Sequence, residues 1–323
     1  MAMAITVGIV NIFSLPPNYL NFPRIMKIFL ISLWLLAGLL WAEAQGMVAS
    51  TDSVVTAFPE KFFIQFHAQY NYAAFSGEST DNKDLKTNLP VHIGFGGGYG
   101  PFSWTSMLSM SFGADEDLPI TKAANLQFNY FSDRIFGDAE IGVNDGFYKR
   151  ERFEEKDKAE AYQLMIIKGS LSINYIWNKD HSLRAVYNMD RRQWKSNGSF
   201  ILGIGAYYHG IESKDSALSF YSEMQSFVHA GPSAGYSYNW IWDNGMFGNL
   251  LIVGTTSVGK NVTRNEWMQF YQIFPKGVLG YHSHTWSINF PLILSLLWIH
   301  ENDGKVGDFF LEASAGFTIT KRF

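Results

Sequence analysis

The sequence has no cysteine. That excludes a disulfide framework, a thiolate metal site, a cysteine nucleophile and a lipid-modified N-terminal cysteine. Charge is sparse as well: 17% of residues are charged, against about 25% in a typical soluble domain. The balance of 25 Lys+Arg against 29 Asp+Glu gives a net charge of −4. A nucleic-acid binder usually carries a basic domain or stripe, so no nucleic-acid partner is expected. After residue 45 no apolar run reaches about 18 residues, which excludes a membrane helix in that region. Walker A, H-E-x-x-H and C-x-x-C motifs are absent, and no catalytic residue, cofactor or metal site is expected.

Aromatic residues, by contrast, are plentiful at 16%, and the N-terminus carries an export signature. Arg24 and Lys27 form a short cationic region ahead of an apolar stretch, Ile28 to Trp41, which is followed by Ala42-Glu43-Ala44, an A-x-A-like cleavage site. Fourteen residues at about 1.5 Å each reach roughly 21 Å, short of a roughly 30 Å hydrocarbon core. The expectation is a Sec-type signal peptide over residues 26–44, cleaved after Ala44. Residues 1–25 read as an over-long start of the gene model, and residues 45–58 as a short periplasmic segment ahead of a barrel over 59–323.

The mature chain has a period of two. In 62–72, Phe62, Ile64, Phe66, Ala68, Tyr70 and Tyr72 alternate with Phe63, Gln65, His67, Gln69 and Asn71. Successive strand side chains point to opposite faces, so one face is apolar and the other mostly polar. The pattern recurs in thirteen candidate runs: 62–72, 89–99, 102–112, 125–130, 138–144, 168–177, 183–189, 199–211, 226–241, 246–259, 274–281, 285–299 and 308–323. Aromatics concentrate near run ends, as in the interfacial girdles of membrane barrels.

In hydrocarbon an open sheet leaves two unsatisfied edges, so strands that cross a membrane close on themselves. The expected fold is therefore all-β: a closed antiparallel transmembrane barrel in the bacterial outer membrane. An even strand number is required when both termini are periplasmic. Twelve is expected, with ten to fourteen possible and 274–281 the weakest run. Gly100-Pro101, Ser132-Asp133-Arg134 and Asn178 to His181 read as short periplasmic turns, and 113–122 and 144–163 as longer outer loops. The final run places Phe309, Leu311, Ala313, Ala315, Phe317, Ile319 and Phe323 on one parity, broken at Lys321. A last strand ending in an aromatic resembles the signal that the outer-membrane insertion machinery reads, here Phe317, Ile319 and Phe323.

The segment SLRAVYNMDRRQWKSNGSFILGIGAYYHGI (182–211) carries a further resemblance. Arg184, Tyr187 and Asn188 form an R-x-x-[FY]-[ND] core. A polar hairpin of Arg191, Gln193, Lys195, Ser196, Gly198 and Ser199 follows, then Gly203, Gly205, Tyr207 and Tyr208. Pro59 to Phe63 adds a P-E-K-F-F stretch. Together these resemble the hallmark of an outer-membrane β-barrel family of Bacteroidota and spirochaetes, the domain of unknown function numbered 4421. The resemblance implies a location and a fold, and supplies no activity.

Candidate functional groups are electrostatic. Asp138, Glu140, Lys168 and Arg184 fall on polar parities of successive runs, where antiparallel neighbours stand about 5 Å apart. The expectation is a charge ladder across the lumen wall, extended by Arg191 and Arg192. His67 and His92 fall on polar parities of neighbouring runs, and His282 and His284 share a parity two residues apart that could offer metal ligands, but lumen or loop histidines are the plainer reading. GFGGGYG (94–100) lacks a following Lys-Ser/Thr and reads as close strand packing or a bend. The charge-dense 149–160 reads as a solvated loop. Outer-membrane lipid, the insertion machinery and small polar solutes are the expected partners. The functional readings are a small passive pore, a non-conducting structural or interaction barrel, and, more remotely, a lipid-modifying enzyme.

Overall fold

The computed structural model describes residues 53–77, 84–88, 91–112, 118, 120–152, 157–300 and 306–323. The expected signal peptide with Ala42 and Ala44, and the N-terminal extension, lie outside the described residues. In chain order the strands begin with β1 (Val55–Ala57), β2 (Phe62–Gly77), β3 (Leu85–Lys86), β4 (Val91–Tyr99) and β5 (Phe102–Met110). There follow β6 (Lys122–Phe131), β7 (Ile135–Arg152), β8 (Asp157–Ile176), β9 (Arg191–Gln193) and β10 (Asn197–Ser213). The chain ends with β11 (Gln225–Ile241), β12 (Met246–Asn261), β13 (Glu266–His282), β14 (Trp286–His300) and β15 (Val306–Arg322).

Every neighbouring pair is antiparallel, and β15 pairs with β2 from Asp308↔Gly77 to Arg322↔Phe63, closing the ring. Twelve strands form the wall (β2, β4–β8 and β10–β15), so the even count holds. Closure matters because it leaves no row of unpaired backbone groups facing lipid. Strands β4, β5 and β6 have 9, 9 and 10 residues, about the length that spans a bilayer. The remaining wall strands run to between 15 and 20 residues and carry their extra length at the end away from Phe323. Above the three short strands, two-residue β3 bridges β2 and β7.

The apolar parity faces outward. Phe95, Ile141, Leu171 and Phe200 are each more than half exposed at 64%, 66%, 56% and 67%, a distribution a soluble barrel would not tolerate. Tyr99, Phe102, Tyr130, Trp177, Trp286 and Phe323 form a belt at the end where β15 finishes, where amphipathic rings suit a membrane–water boundary. Lys321 also faces outward, but its ammonium reaches down to donate to Thr285 Oγ1 at 2.9 Å and lies 4.8 Å from the Trp286 ring centroid. Snorkelling towards the interface explains why the pattern tolerates it there.

Two turn features match the glycine-rich reading. A Cβ on Gly98 would sit 2.3 Å from the Phe63 ring, and Gly100 takes φ +57° at the Gly100-Pro101 turn. The sheet also accepts three prolines. Pairing skips a step at Pro232 between β11 and β12, at Pro275 between β13 and β14, and at Pro291 between β14 and β15. In a closed barrel each strand has two neighbours, so a residue without an N–H must interrupt one ladder.

Three sequence expectations are corrected. Run 183–189 is not a strand: Arg184–Asn188 form a single π-helical turn inside the barrel. Run 274–281 is the second half of full-length β13, so twelve is the right total with a different run removed. The stretch 144–163 is not a loop, because β7 and β8 continue through Arg152 and from Asp157 as an extended hairpin.

Candidate functional site

The wall does not turn back directly after β8. From Asn178 to Ser196 the chain folds into the lumen at the terminus end and forms a plug. The π-helical turn ends on Met189, whose φ of 57° is left-handed and whose N–H donates to the Arg184 carbonyl at 3.0 Å. Arg184 closes the turn by donating from Nε to both Asp190 carboxylate oxygens at 2.9 Å. Strand β9 then pairs with β1 from Val55↔Gln193 to Ala57↔Arg191. Val55–Ala57, within the stretch 45–58 expected as a short periplasmic segment, are thus one strand of a two-stranded sheet at the barrel end.

Wall side chains hold the plug from several directions. Tyr187 Oη donates to Asn249 Oδ1 at 2.8 Å, Asn188 Nδ2 to the Gly100 carbonyl at 2.8 Å, and Asn239 Nδ2 to Gln193 Oε1 at 2.8 Å. Arg322, 1% exposed, donates to the Met189 carbonyl at 2.9 Å and to Ser287 Oγ, Ser283 O, His284 O and Trp286 O. Its guanidinium also lies 3.7 Å from the Phe58 ring centroid. Apolar contacts complete the closure, with Leu183 packed among Phe131, Phe136, Ile176, Ile201 and Leu251. Burial pushes the Tyr187 phenol above its ordinary value, so it remains a hydrogen-bond donor.

His181 lies at the entry to the plug, fully buried. Its Nδ1–H donates to Asn197 Oδ1 at 3.2 Å, and its Nε2 has no partner among the described residues. Desolvation lowers its pKa below 6.5, so the neutral ring is the folded form. A depressed folded pKa means stability that is complete above about 6.5 and is lost as pH falls below that value towards the folded pKa. Trypsin cleavage at Lys179, Arg184 or Arg191, divided by its rate on an unfolded peptide at the same pH because trypsin itself slows in acid, should rise on going from about pH 7 to about pH 5. His181→Gln should flatten that dependence, and an unchanged profile would contradict the assignment.

The opposite end is closed by apolar packing. Leu218 and Tyr221, on the short helical stretch Ser216–Tyr221, enter the mouth and meet Phe75, Leu164, Ile166, Phe227, Phe270 and Phe310 from the wall. Tyr221 Oη donates to Asp308 Oδ2 at 2.9 Å. The extra strand length beyond the membrane carries these inward apolar residues.

A polar chamber remains between the two closures, as overlapping cavities of about 220, 130 and 130 Å³. Lys168 occupies its wall, 3.0 Å from Glu140 and 2.8 Å from Glu312. Asp138 accepts from Ser172 Oγ at 2.7 Å, and Glu140 Oε1 also accepts from Asn125 Nδ2 at 2.6 Å. Removing Lys168 would leave two carboxylates facing each other in the lumen. Lys168→Met should cost about 2–3 kcal/mol, the usual loss for a broken buried pair reduced for partial hydration. Urea midpoints followed by tryptophan fluorescence would measure it, with Glu140→Gln plus Glu312→Gln restoring most of the loss.

The expected ladder is therefore redistributed. Asp138, Glu140 and Lys168 do line the lumen together, but Arg184, Arg191 and Arg192 are not on the wall. A segment with no lipid side pairs its charges locally: Arg184 with Asp190, Arg191 with Asp133, and Arg192 stacked 4.0 Å from the Trp194 ring centroid. The family hairpin residues Gln193, Lys195 and Ser196 belong to the plug, and Gly198 and Ser199 begin β10. Phe317, Ile319 and Phe323 face outward, with Phe323 N donating to the Phe62 carbonyl at 2.8 Å. Two lumen residues were missed, Glu312 and Lys276.

The histidines go to separate partners. His67 Nδ1 meets Thr318 Oγ1 at 3.0 Å, His92 meets Asn71, and His282 Nδ1 meets Ser287 Oγ at 2.8 Å. Among the described residues no group of three or more His, Asp and Glu side chains is arranged to hold a metal ion. Gly231-Pro232-Ser233-Ala234-Gly235 has G-x-S-x-G spacing that the sequence reading overlooked. It lies flat within β11, and Ser233 Oγ donates to Asn174 Oδ1 at 3.2 Å, not the strand-to-helix elbow that exposes a nucleophile.

A family model described as a domain of unknown function (DUF4421) matches residues 53–315. No curated protein matches significantly. Among solved structures, the chain is similar to the translocator domain of the autotransporter NalP from Neisseria meningitidis at 9% identity, covering 94% of this chain and 100% of that one, with TM-score 0.41. It is similar to the P. putida toluene transporter TodX at 7% identity, covering 82% and 91%, with TM-score 0.31. The outer-membrane OmpT of Vibrio cholerae matches at 8% identity, covering 84% and 100%, with TM-score 0.32.

Proposed function

The chain belongs to the DUF4421 family, a domain of unknown function, and from that premise we propose that it is an integral outer-membrane β-barrel closed at rest, not a standing pore. One observation carries this reading: the lumen is filled at both ends, by the 178–196 plug and by the apolar cluster around Tyr221, with polar space only between them. A barrel of this strand number can be either side-chain-filled or narrowly open, and filling at both ends supports the closed form. Outer-membrane lipid wets the outward Phe, Leu and Ile faces. The insertion machinery reads the last strand through Phe317, Ile319 and Phe323. Small polar solutes reach the chamber only when a closure moves.

Planar-bilayer recording of the purified mature protein tests the reading. Silence at moderate voltage, from protein whose gel mobility shifts on heating in SDS, is the expected result. A steady open conductance from every inserted molecule would overturn it and restore the passive-pore reading.

A further inference from the structure

We propose that the closed chamber is a binding site for a small zwitterion bearing one carboxylate and one ammonium, of which a free α-amino acid is the simplest. The proposal rests on the closed-barrel reading and adds the solute class. Its basis is how the lumenal charges are used. Lys168 is taken up by Glu140 and Glu312. Asp138 and Lys276 remain. Asp138 is met by the Ser172 hydroxyl, and among the described residues no carboxylate lies within ion-pair distance of Lys276. The Lys276 ammonium instead lies 4.5 Å from the Phe274 ring centroid and 5.6 Å from that of Tyr187.

Lys276 lines all three cavities, and Asp138 shares two of them. The half-buried Lys276 ammonium and Asp138 carboxylate attract each other across this space but stand too far apart for a direct ion pair, so each still lacks a contact partner that a group brought in from outside can supply. A solute that brings a carboxylate to Lys276 and an ammonium to Asp138 relieves both. A solute with a single charge relieves one and leaves the other desolvated, which is how a polar site discriminates. Three carboxylates against two ammonium groups also disfavour a purely anionic solute. Gln127, Asn174, Tyr207 and Ser233 add neutral hydrogen-bonding groups around the same space.

The test is equilibrium dialysis of the purified, heat-modifiable mature protein against radiolabelled L-alanine, with ethylamine, propionate and maltose as competitors. Saturable binding is expected, with each single-charge competitor and the neutral sugar at least ten-fold weaker. Lys276→Met and Asp138→Asn should each weaken binding at least ten-fold, while Lys276→Arg keeps it. Equal competition by ethylamine, propionate or maltose would overturn the proposal. So would binding indifferent to Lys276→Met, or no binding either to wild type or to an Arg322→Lys variant with a loosened plug. Bilayer recordings on the same preparation separate the two ideas. A silent barrel that ignores alanine removes the zwitterion and leaves closure standing, whereas a conducting wild type removes closure and with it this proposal.

Discussion

Opening both ends of the barrel should convert a silent protein into a conducting one, and opening either end alone should not. The two closures are in series. Replacing Leu183–Gln193 by a short Gly-Ser linker removes the π-helical turn and β9, together with the side chains that meet Asn249, Gly100 and Asn239. The chamber would then communicate with the terminus side, while the cluster of Phe75, Leu164, Phe227, Phe270 and Phe310 still blocks the far mouth. Replacing Ser216–Tyr221 and truncating Phe270 and Phe310 to Ser would open that mouth alone. Only the combined variant joins the cavities to both baths. Its bilayer conductance should exceed that of either single variant by at least ten-fold. Conduction through the plug variant alone would show that the apolar cluster is not a barrier.

Arg322→Met should be the most damaging single substitution outside the wall's apolar face. The guanidinium is buried and donates to five acceptors, among them the Met189 carbonyl of the plug and three carbonyls of the 283–286 turn. Trp286 O keeps the Ser283 N–H and Ser287 Oγ keeps His282, but loss of the donor strips the Met189, Ser283 and His284 carbonyls of this partner, at about 1–3 kcal/mol each where no water can enter. It also removes the contact with Phe58 that ties residues 53–58 to the barrel. With partial rehydration at the barrel end, a loss of about 3–5 kcal/mol is expected, the range for breaking a buried charged network. It would appear as a lower temperature for the SDS mobility shift and faster proteolysis within 178–196. Arg322→Lys keeps the charge but not the planar fork, and should fall between the two.

The wall was legible in the sequence because lipid and lumen impose opposite demands on successive residues. Phe62, Ile64 and Phe66 against Gln65, His67 and Gln69 leave little freedom in choosing the face. The plug was not legible, because a segment inside the lumen is buried on every side. Leu183, Ala185 and Met189 are buried, but so are Arg184, Val186 and Asn188, and the apparent alternation there does not mark a face. Length was no clue, since runs 125–130 and 138–144 are as short and belong to wall strands; the signal present was the charge that follows at once in Asp190, Arg191 and Arg192. The first half of β13 was missed for the opposite reason. Beyond the membrane Met268 and Phe270 point inward to the apolar cluster while Gln269 points out, so the membrane pattern inverts. Glu312 went unassigned as a partner of Lys168 because alternation fixes the face of a residue, not its position around the ring.

The absence of cysteine allows the membrane assignment itself to be measured directly. Single cysteines placed in turn from Ser199 to Ala206 in reconstituted liposomes would each be the sole thiol. A fluorophore at Phe200, Leu202, Ile204 and Ala206 should be quenched by brominated acyl chains, and one at Ser199, Ile201, Gly203 and Gly205 should not. Quenching with a period of two is the result this account requires; uniform protection, or uniform access to water-soluble reagents along β10, would contradict it.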